Sequence, residues 1–223
     1  MTEFAHPATE YGVVEGESAE LVDRNLRIGS QLWSSATAFF FFAFLFAFFY
    51  LRSLNESHLW KPKNVTPPTT LGTLTAACVV AAAVLLTLAL RDHRNENRRA
   101  WRIKGAVSIA LLTAAIVLQI VAWSTEGFGP TDGGYASVYI GWTGLEVLFL
   151  LGLLYWLETT LATSLRYRSA RLAPGDASGD AHRTAHDIDD PLSLIRGELT
   201  ALSFYANVLA LIAAITWFLL FIL

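Results

Sequence analysis

Five long apolar runs cross this chain of 223 residues, and none of them contains a histidine. They extend from Ile28 to Leu51, Asn64 to Leu90, Gly105 to Thr125, Gly133 to Arg166 and Leu199 to Leu223, the fourth broken only by Glu146 and Glu158. A helix of about 20 residues crosses roughly 30 Å of hydrocarbon, so each run is long enough to span a bilayer. Barrel strands would alternate apolar and polar residues over only about 10 positions, which these runs do not. The expectation is an all-α integral membrane protein with five transmembrane helices, near 31–52, 69–91, 104–124, 135–158 and 199–223. With no imidazole in any run, the bilayer part carries no histidine with which to ligate haem.

More than half of the residues are hydrophobic, and the net charge of −3 matters less than where the charges sit. Residues 1–27 read as an acidic cytoplasmic tail: Glu3, Glu10, Glu15, Glu17, Glu20 and Asp23 precede the first basic residue, Arg24. That start has no basic segment and no apolar core, so it is not a signal peptide. Basic residues orient the 28–223 bundle. The loop after the second run holds Arg91, Arg94, Arg98, Arg99, Arg102 and Lys104, and the region after the fourth holds Arg166, Arg168, Arg171, Arg183 and Arg196. The other side has only Arg52, Lys61 and Lys63, after the first run. The positive-inside rule therefore places the N-terminus in the cytoplasm and the C-terminus outside.

Cys78 is the sole cysteine, so no intramolecular disulfide or cysteine cluster for iron–sulfur or zinc is available, and a packing role is expected. The first run is dense in phenylalanine, from Phe39 to Phe49, which suits lipid contact or aromatic packing. In the following loop, Trp60 is placed to sit at the membrane interface and Pro67 and Pro68 to open the next helix. Asn55-Glu56-Ser57 matches a glycosylation acceptor, but the motif is short and frequent. The segment 168–197 reads as a flexible cytoplasmic loop. His182, His186, Asp187, Asp189 and Asp190 lie in it, and a solvated loop explains them more simply than a metal site, because nothing fixes a ligand geometry. No internal repeat of the kind that builds inverted-repeat transporters is evident.

Glu146 is the group that chemistry singles out. It lies about 11 residues, or roughly 16 Å, into the fourth helix, near the bilayer midplane. An acidic side chain there costs about 2.5–3.5 kcal/mol on insertion scales, so Glu146 is expected to be protonated, paired or wetted. Gln119, at comparable depth on the preceding helix, is the nearest candidate partner. A carboxyl tying two helices together and a proton-handling group are the two readings. Gly141, Gly144 and Gly152 are expected to let another helix approach closely. Arg52, Trp60 and Trp142 are candidates for lipid or interface contact. Glu158 can reach the inner interface, and Glu198 complements the dipole at the start of the last helix. No catalytic, cofactor-binding or metal-ligating residues are assigned.

Four stretches, in order, carry a family likeness. They are Trp33-Ser34-Ser35-Ala36 leading into Phe39-Phe40 and on to Ala47-Phe48-Phe49-Tyr50 and Arg52; Trp60 with Pro62; Gln119; and Gly134-Tyr135-Ala136-Ser137-Val138-Tyr139 followed by Thr143-Gly144. The chain resembles subunit III of haem-copper cytochrome c oxidases, in the shorter five-helix form found in bacteria. It departs from the family pattern at Ala36, where a membrane glutamate is usual, and at Glu146 and Phe149, where histidines are usual. Phe204-Tyr205 keeps only the aromatic part of the last helix's signature.

The resemblance implies a non-catalytic subunit of a respiratory terminal oxidase in the bacterial plasma membrane. It implies packing on the catalytic subunit I beside subunit II, with haem and copper in those partners, and no nucleic-acid role. It also implies bound phospholipid and support of proton uptake and durability. Basic residues on the inner surface could meet anionic headgroups. An accessory subunit of a nitric oxide reductase, a quinol oxidase subunit, and a small proton-coupled transporter using Glu146 stay open as alternatives.

Overall fold

A computed structural model describes residues 19–54, 60–62, 65–172 and 191–223. Its elements are α1 (Ala19–Ser53), α2 (Thr69–Arg94), α3 (Arg98–Thr125), α4 (Gly134–Leu172) and α5 (Pro191–Trp217), the last running into a π-helical end (Phe218–Ile222). All five α-helices are long and apolar enough to cross a membrane, and no strand occurs among the described residues. Both the helix count and the all-α class agree with the apolar runs. The Asn55-Glu56-Ser57 motif and the histidines and aspartates between 182 and 190 lie outside the described residues.

Several helices outrun their apolar cores. α1 begins at Ala19 rather than near residue 31, α4 continues to Leu172 rather than 158, and α5 opens at Pro191 inside the expected loop. At 1.5 Å per residue, helices of 35 and 39 residues reach about 52 Å and 58 Å. That exceeds the roughly 30 Å hydrocarbon layer, so these helices extend beyond it. Pro191 occupies the first helical position, where a missing N–H costs nothing.

Helices α2, α3, α4 and α5 form a ring in which sequence neighbours and α2 with α5 pack together, and α1 lies against the α4–α5 pair. Contacts define two ends. At the basic end the α2–α3 turn is tight: Glu96 takes the left-handed backbone region (φ 59°), and Asn97 caps α3 by accepting from Ala100 N at 3.2 Å. There Lys104 pairs with Asp92 across the turn, Arg102 donates to the Ser164 carbonyl at 2.8 Å, and Asp23 of α1 packs on Gly197 of α5. At the far end, Gly133 has φ 128°, a conformation that favours glycine, and so starts α4 directly from the turn.

The core is one layer of aliphatic and aromatic side chains through all five helices, including Phe48, Leu86, Leu112, Tyr139, Trp142, Leu150 and Leu202. A smaller cluster of Ala89, Leu90, Trp101, Ile195 and Leu199 seals the basic end. On α1, Leu32, Phe39, Phe42 and Phe46 are each more than 60 % exposed. Their spacing by three, four and seven residues puts them on one outward stripe, the surface expected of a helix in contact with lipid or a neighbouring subunit.

Candidate functional site

Two groups of polar side chains surround the expected site residues Gln119 and Glu146. The first sits where α3 ends and α4 begins. Gln119 and Trp123 stand four residues apart on α3, with Glu126 just past its end, and Tyr135, Tyr139 and Thr143 recur at four-residue spacing on α4. Each set therefore lines one helix face, and the antiparallel connection turns the faces toward each other. Gln119 Nε2 donates to Tyr139 Oη at 3.5 Å, and Trp123 Nε1 donates to Thr143 Oγ1 at 3.0 Å. Thr143 passes its own hydrogen to the Tyr139 carbonyl at 2.7 Å. The Glu126 carboxyl lies beside the Tyr139 hydroxyl. Burial lifts the Glu126 carboxyl above the ordinary carboxylate range, and the neighbouring Tyr139 hydroxyl partly holds it down. Glu126 Oε1 is buried with no hydrogen-bond partner among the described residues.

An aromatic bridge continues this group across the far end. Trp60 is buried, its ring edge-on to Phe48 at 5.2 Å and to Tyr135 at 5.8 Å. Its carbonyl accepts from Tyr135 N at 2.8 Å, and its ring fills the space over Gly134. Two cations flank the bridge: the Lys61 ammonium lies 4.6 Å from the centre of the Tyr135 ring and the Arg52 guanidinium 5.8 Å from that of Phe48. Burial, and then the nearby Arg52, pull the Lys61 ammonium below its ordinary range.

The second group is Glu146, 8 % exposed. Its carboxyl lies beside the Thr216 hydroxyl of α5, which donates to the Ile212 carbonyl at 2.9 Å. Gln119 is therefore bonded to Tyr139 rather than to Glu146, whose carboxyl faces Thr216 of α5 instead. α4 meets α3 along one face and α5 along another, which divides the two polar groups. Near Ala36 of α1, the Ser34 hydroxyl is buried without a partner among the described residues, and Thr37 Oγ1 approaches Tyr205 Oη of α5 at 3.4 Å.

Of the small residues, Gly141 does admit a neighbour: a methyl placed there would stand 2.9 Å from the Phe44 ring of α1. A methyl on Gly144 or Gly152 would meet nothing within 4 Å, because the neighbours of α4 pack on its other faces. Trp142 is 1 % exposed, packed against Phe41 and Phe44 at about 6 Å, so within this chain it is a core residue rather than a lipid-facing one. Trp60 likewise lies inside the fold, while Arg52 is exposed at its rim. Glu126 was not singled out by sequence because it ends an apolar run and reads as turn; its spacing from Gln119 and Trp123 was the available signal. Among the described residues no three His, Cys, Asp or Glu side chains converge as metal ligands.

The family model for cytochrome c oxidase subunit III matches residues 1–172. The chain belongs to that family. Curated relatives agree with it. The cytochrome c oxidase subunit 3 of Ornithorhynchus anatinus is 26% identical over 145 residues, covering 63% of this chain and 56% of the relative. That of Tachyglossus aculeatus aculeatus is 26% identical over 161 residues, covering 70% and 62%. That of Struthio camelus is 28% identical over 142 residues, covering 61% and 54%. The chain thus spans between half and two thirds of the length of these relatives. Membership of the subunit III family and five helices able to cross a membrane fit a multi-pass membrane protein. The family match runs from the N-terminus through α4 and so includes the Gln119–Tyr139–Glu126 group, Trp60 and Glu146.

Proposed function

We propose that this chain is a non-catalytic subunit III of a respiratory haem-copper terminal oxidase, packed on subunit I with subunit II nearby in a bacterial plasma membrane. The observation that carries the reading is family membership over residues 1–172. The bundle supports it, because several of its polar side chains, among them Trp123 with Thr143 and Gln119 with Tyr139, bond across helices, as in a structural subunit. Haem and copper belong to the partner subunits. The arginine-rich end faces the cytoplasm, which puts the N-terminus inside and the Trp60 bridge on the outer face.

Arg52 and Lys61 make the outer rim a place for a phospholipid phosphate: two neighbouring cations sit on an aromatic base at interface height. The fold's contribution to the complex is durability and support of proton uptake at subunit I. Ala36 has no titratable group, so any such support acts through packing and lipid rather than through proton transfer at that position.

Purification in mild detergent from aerobically grown membranes tests this, followed by a reduced-minus-oxidised spectrum and mass spectrometry. Haem bands with a subunit I and a copper-bearing subunit II are expected. A haem-free preparation of this chain alone overturns the reading. The buried Glu146 favours one rival, a proton-coupled transporter. That rival requires proton or substrate flux into liposomes from this chain alone, abolished by Glu146→Gln.

A further inference from the structure

α5 carries an asparagine at bilayer depth whose amide is only half satisfied. Asn207 lies in the Ile195–Ile222 span, about 18 Å from its Ile195 end at 1.5 Å per residue, and it is exposed. Its amide nitrogen donates to the Ser203 carbonyl at 2.7 Å and to Thr87 Oγ1 of α2 at 3.0 Å. A carbonyl can only accept, so the Ser203 bond fixes which end of the amide is NH2. Thr87 passes its one hydrogen to the Ala83 carbonyl at 3.0 Å. It therefore accepts from Asn207 and also from the Ser203 hydroxyl, 3.2 Å away. Both amide hydrogens are spent, and no donor among the described residues reaches the amide oxygen of this exposed side chain.

Exposed hydroxyls elsewhere in the spans do not raise this problem. Ser35 and Thr73 hand their hydrogens to carbonyls of their own helices. An amide oxygen has no such recourse and needs a donor. Lipid tails supply none, and an unsatisfied polar group in hydrocarbon is costly. Around Asn207 the surface is apolar and uncovered: Phe204 and Leu211 on α5 and Val84 on α2 are all exposed. An open acceptor within an apolar helix face is what a transmembrane helix bearing an O–H or N–H donor would complete.

We infer that the α2–α5 face centred on Asn207 is the seat of a transmembrane helix of another subunit, which donates a hydrogen bond to the Asn207 amide oxygen. This rests on the oxidase-subunit reading and adds to it the face that docks and the chemistry of the partner's contact residue. Substituting Asn207 leaves the local fold satisfied, since Thr87 keeps the Ala83 carbonyl and Ser203 keeps Thr87.

The test places a benzophenone-bearing amino acid at Leu211, one turn from Asn207 on the same face, in the complex purified from membranes. A matched preparation carries it at Leu148, an exposed position on α4. Irradiation from position 211 should give an adduct with one defined transmembrane subunit of the complex, and Asn207→Leu should lower its yield about threefold, the scale of an interhelical hydrogen bond in lipid. Adducts with lipid alone, an adduct with a second copy of this chain, the same subunit adduct from position 148, or an unchanged yield in Asn207→Leu would each overturn the inference. A preparation lacking haem-bearing subunits would overturn the oxidase reading and this inference together. A haem-bearing preparation giving lipid adducts overturns this inference alone.

Discussion

Tyr135, in the first turn of α4, donates its phenol hydrogen to the carbonyl of Leu220, near the end of α5, at 2.5 Å. The last carbonyls of a helix have no partner within it, so the tyrosine satisfies a group that would otherwise be buried unpaired. Tyr135→Phe keeps the ring against Trp60 and Tyr139 and removes only the bond. The expected cost is about 1 kcal/mol, seen as a lower melting temperature in detergent and faster amide exchange over residues 218–223. Unchanged exchange there would show that the bond does not hold the end of α5.

Glu126 should make stability pH-dependent. Burial raises its carboxyl above the ordinary range in the folded protein, so the native state holds that proton more tightly than the unfolded chain does. The resulting stabilisation is fully present below the ordinary carboxylate range and is lost as pH rises through the raised folded value. Melting curves taken from the carboxylate range to neutrality should show the unmodified chain losing ground to Glu126→Gln with rising pH. Tyr139→Phe, which removes the hydroxyl that lowers the carboxyl, should move the loss to higher pH. Parallel curves for the unmodified chain and the Glu126→Gln variant would contradict this.

Gly72 of α2 lies directly under the ring of Phe221, so any side chain there meets the ring. Gly72→Val should cost about 1–3 kcal/mol through overpacking. Adding Phe221→Ala should recover part of that loss, and the non-additivity of the pair is the quantity to measure. Strict additivity would mean that the two residues do not touch in the membrane.

Glu146→Gln preserves size and hydrogen-bonding capacity beside Thr216. Assembly and oxygen turnover of the complex should stay nearly unchanged, since a polar link between membrane helices is worth only about 1 kcal/mol. Intact assembly with proton translocation abolished would instead make Glu146 a proton-handling group.

The five spans were legible because hydrocarbon imposes one plain requirement, length without charge, and the runs meet it. Helix ends were not legible on that basis. Apolar content marks what lipid touches, whereas α1 and α4 continue on backbone hydrogen bonds beyond the apolar runs, and α5 starts at Pro191, which reads as a turn until its place at the head of a helix is known. Gln119 and Glu146 stood out as polar groups inside apolar runs, but their partners depended on which face of α4 meets α3 and which meets α5. Asn207 passed as part of an uncharged run, although an amide in hydrocarbon still requires hydrogen-bond partners.

The π-helical turn at Phe218–Ile222 alters the phase of everything it carries. Trp217 donates to Thr73 at 2.9 Å just before it, and Phe221 reaches Gly72 within it, so neighbouring positions of α2 are gripped by residues four apart across a widened turn. Such turns arise from one residue inserted into an α-helix. Deleting a single residue there would act less as a truncation than as a twist of about 100°, releasing Phe221 from Gly72 and the Leu220 carbonyl from Tyr135 together. Among the described elements, this short end is the one where chain length, more than side-chain chemistry, sets the fit.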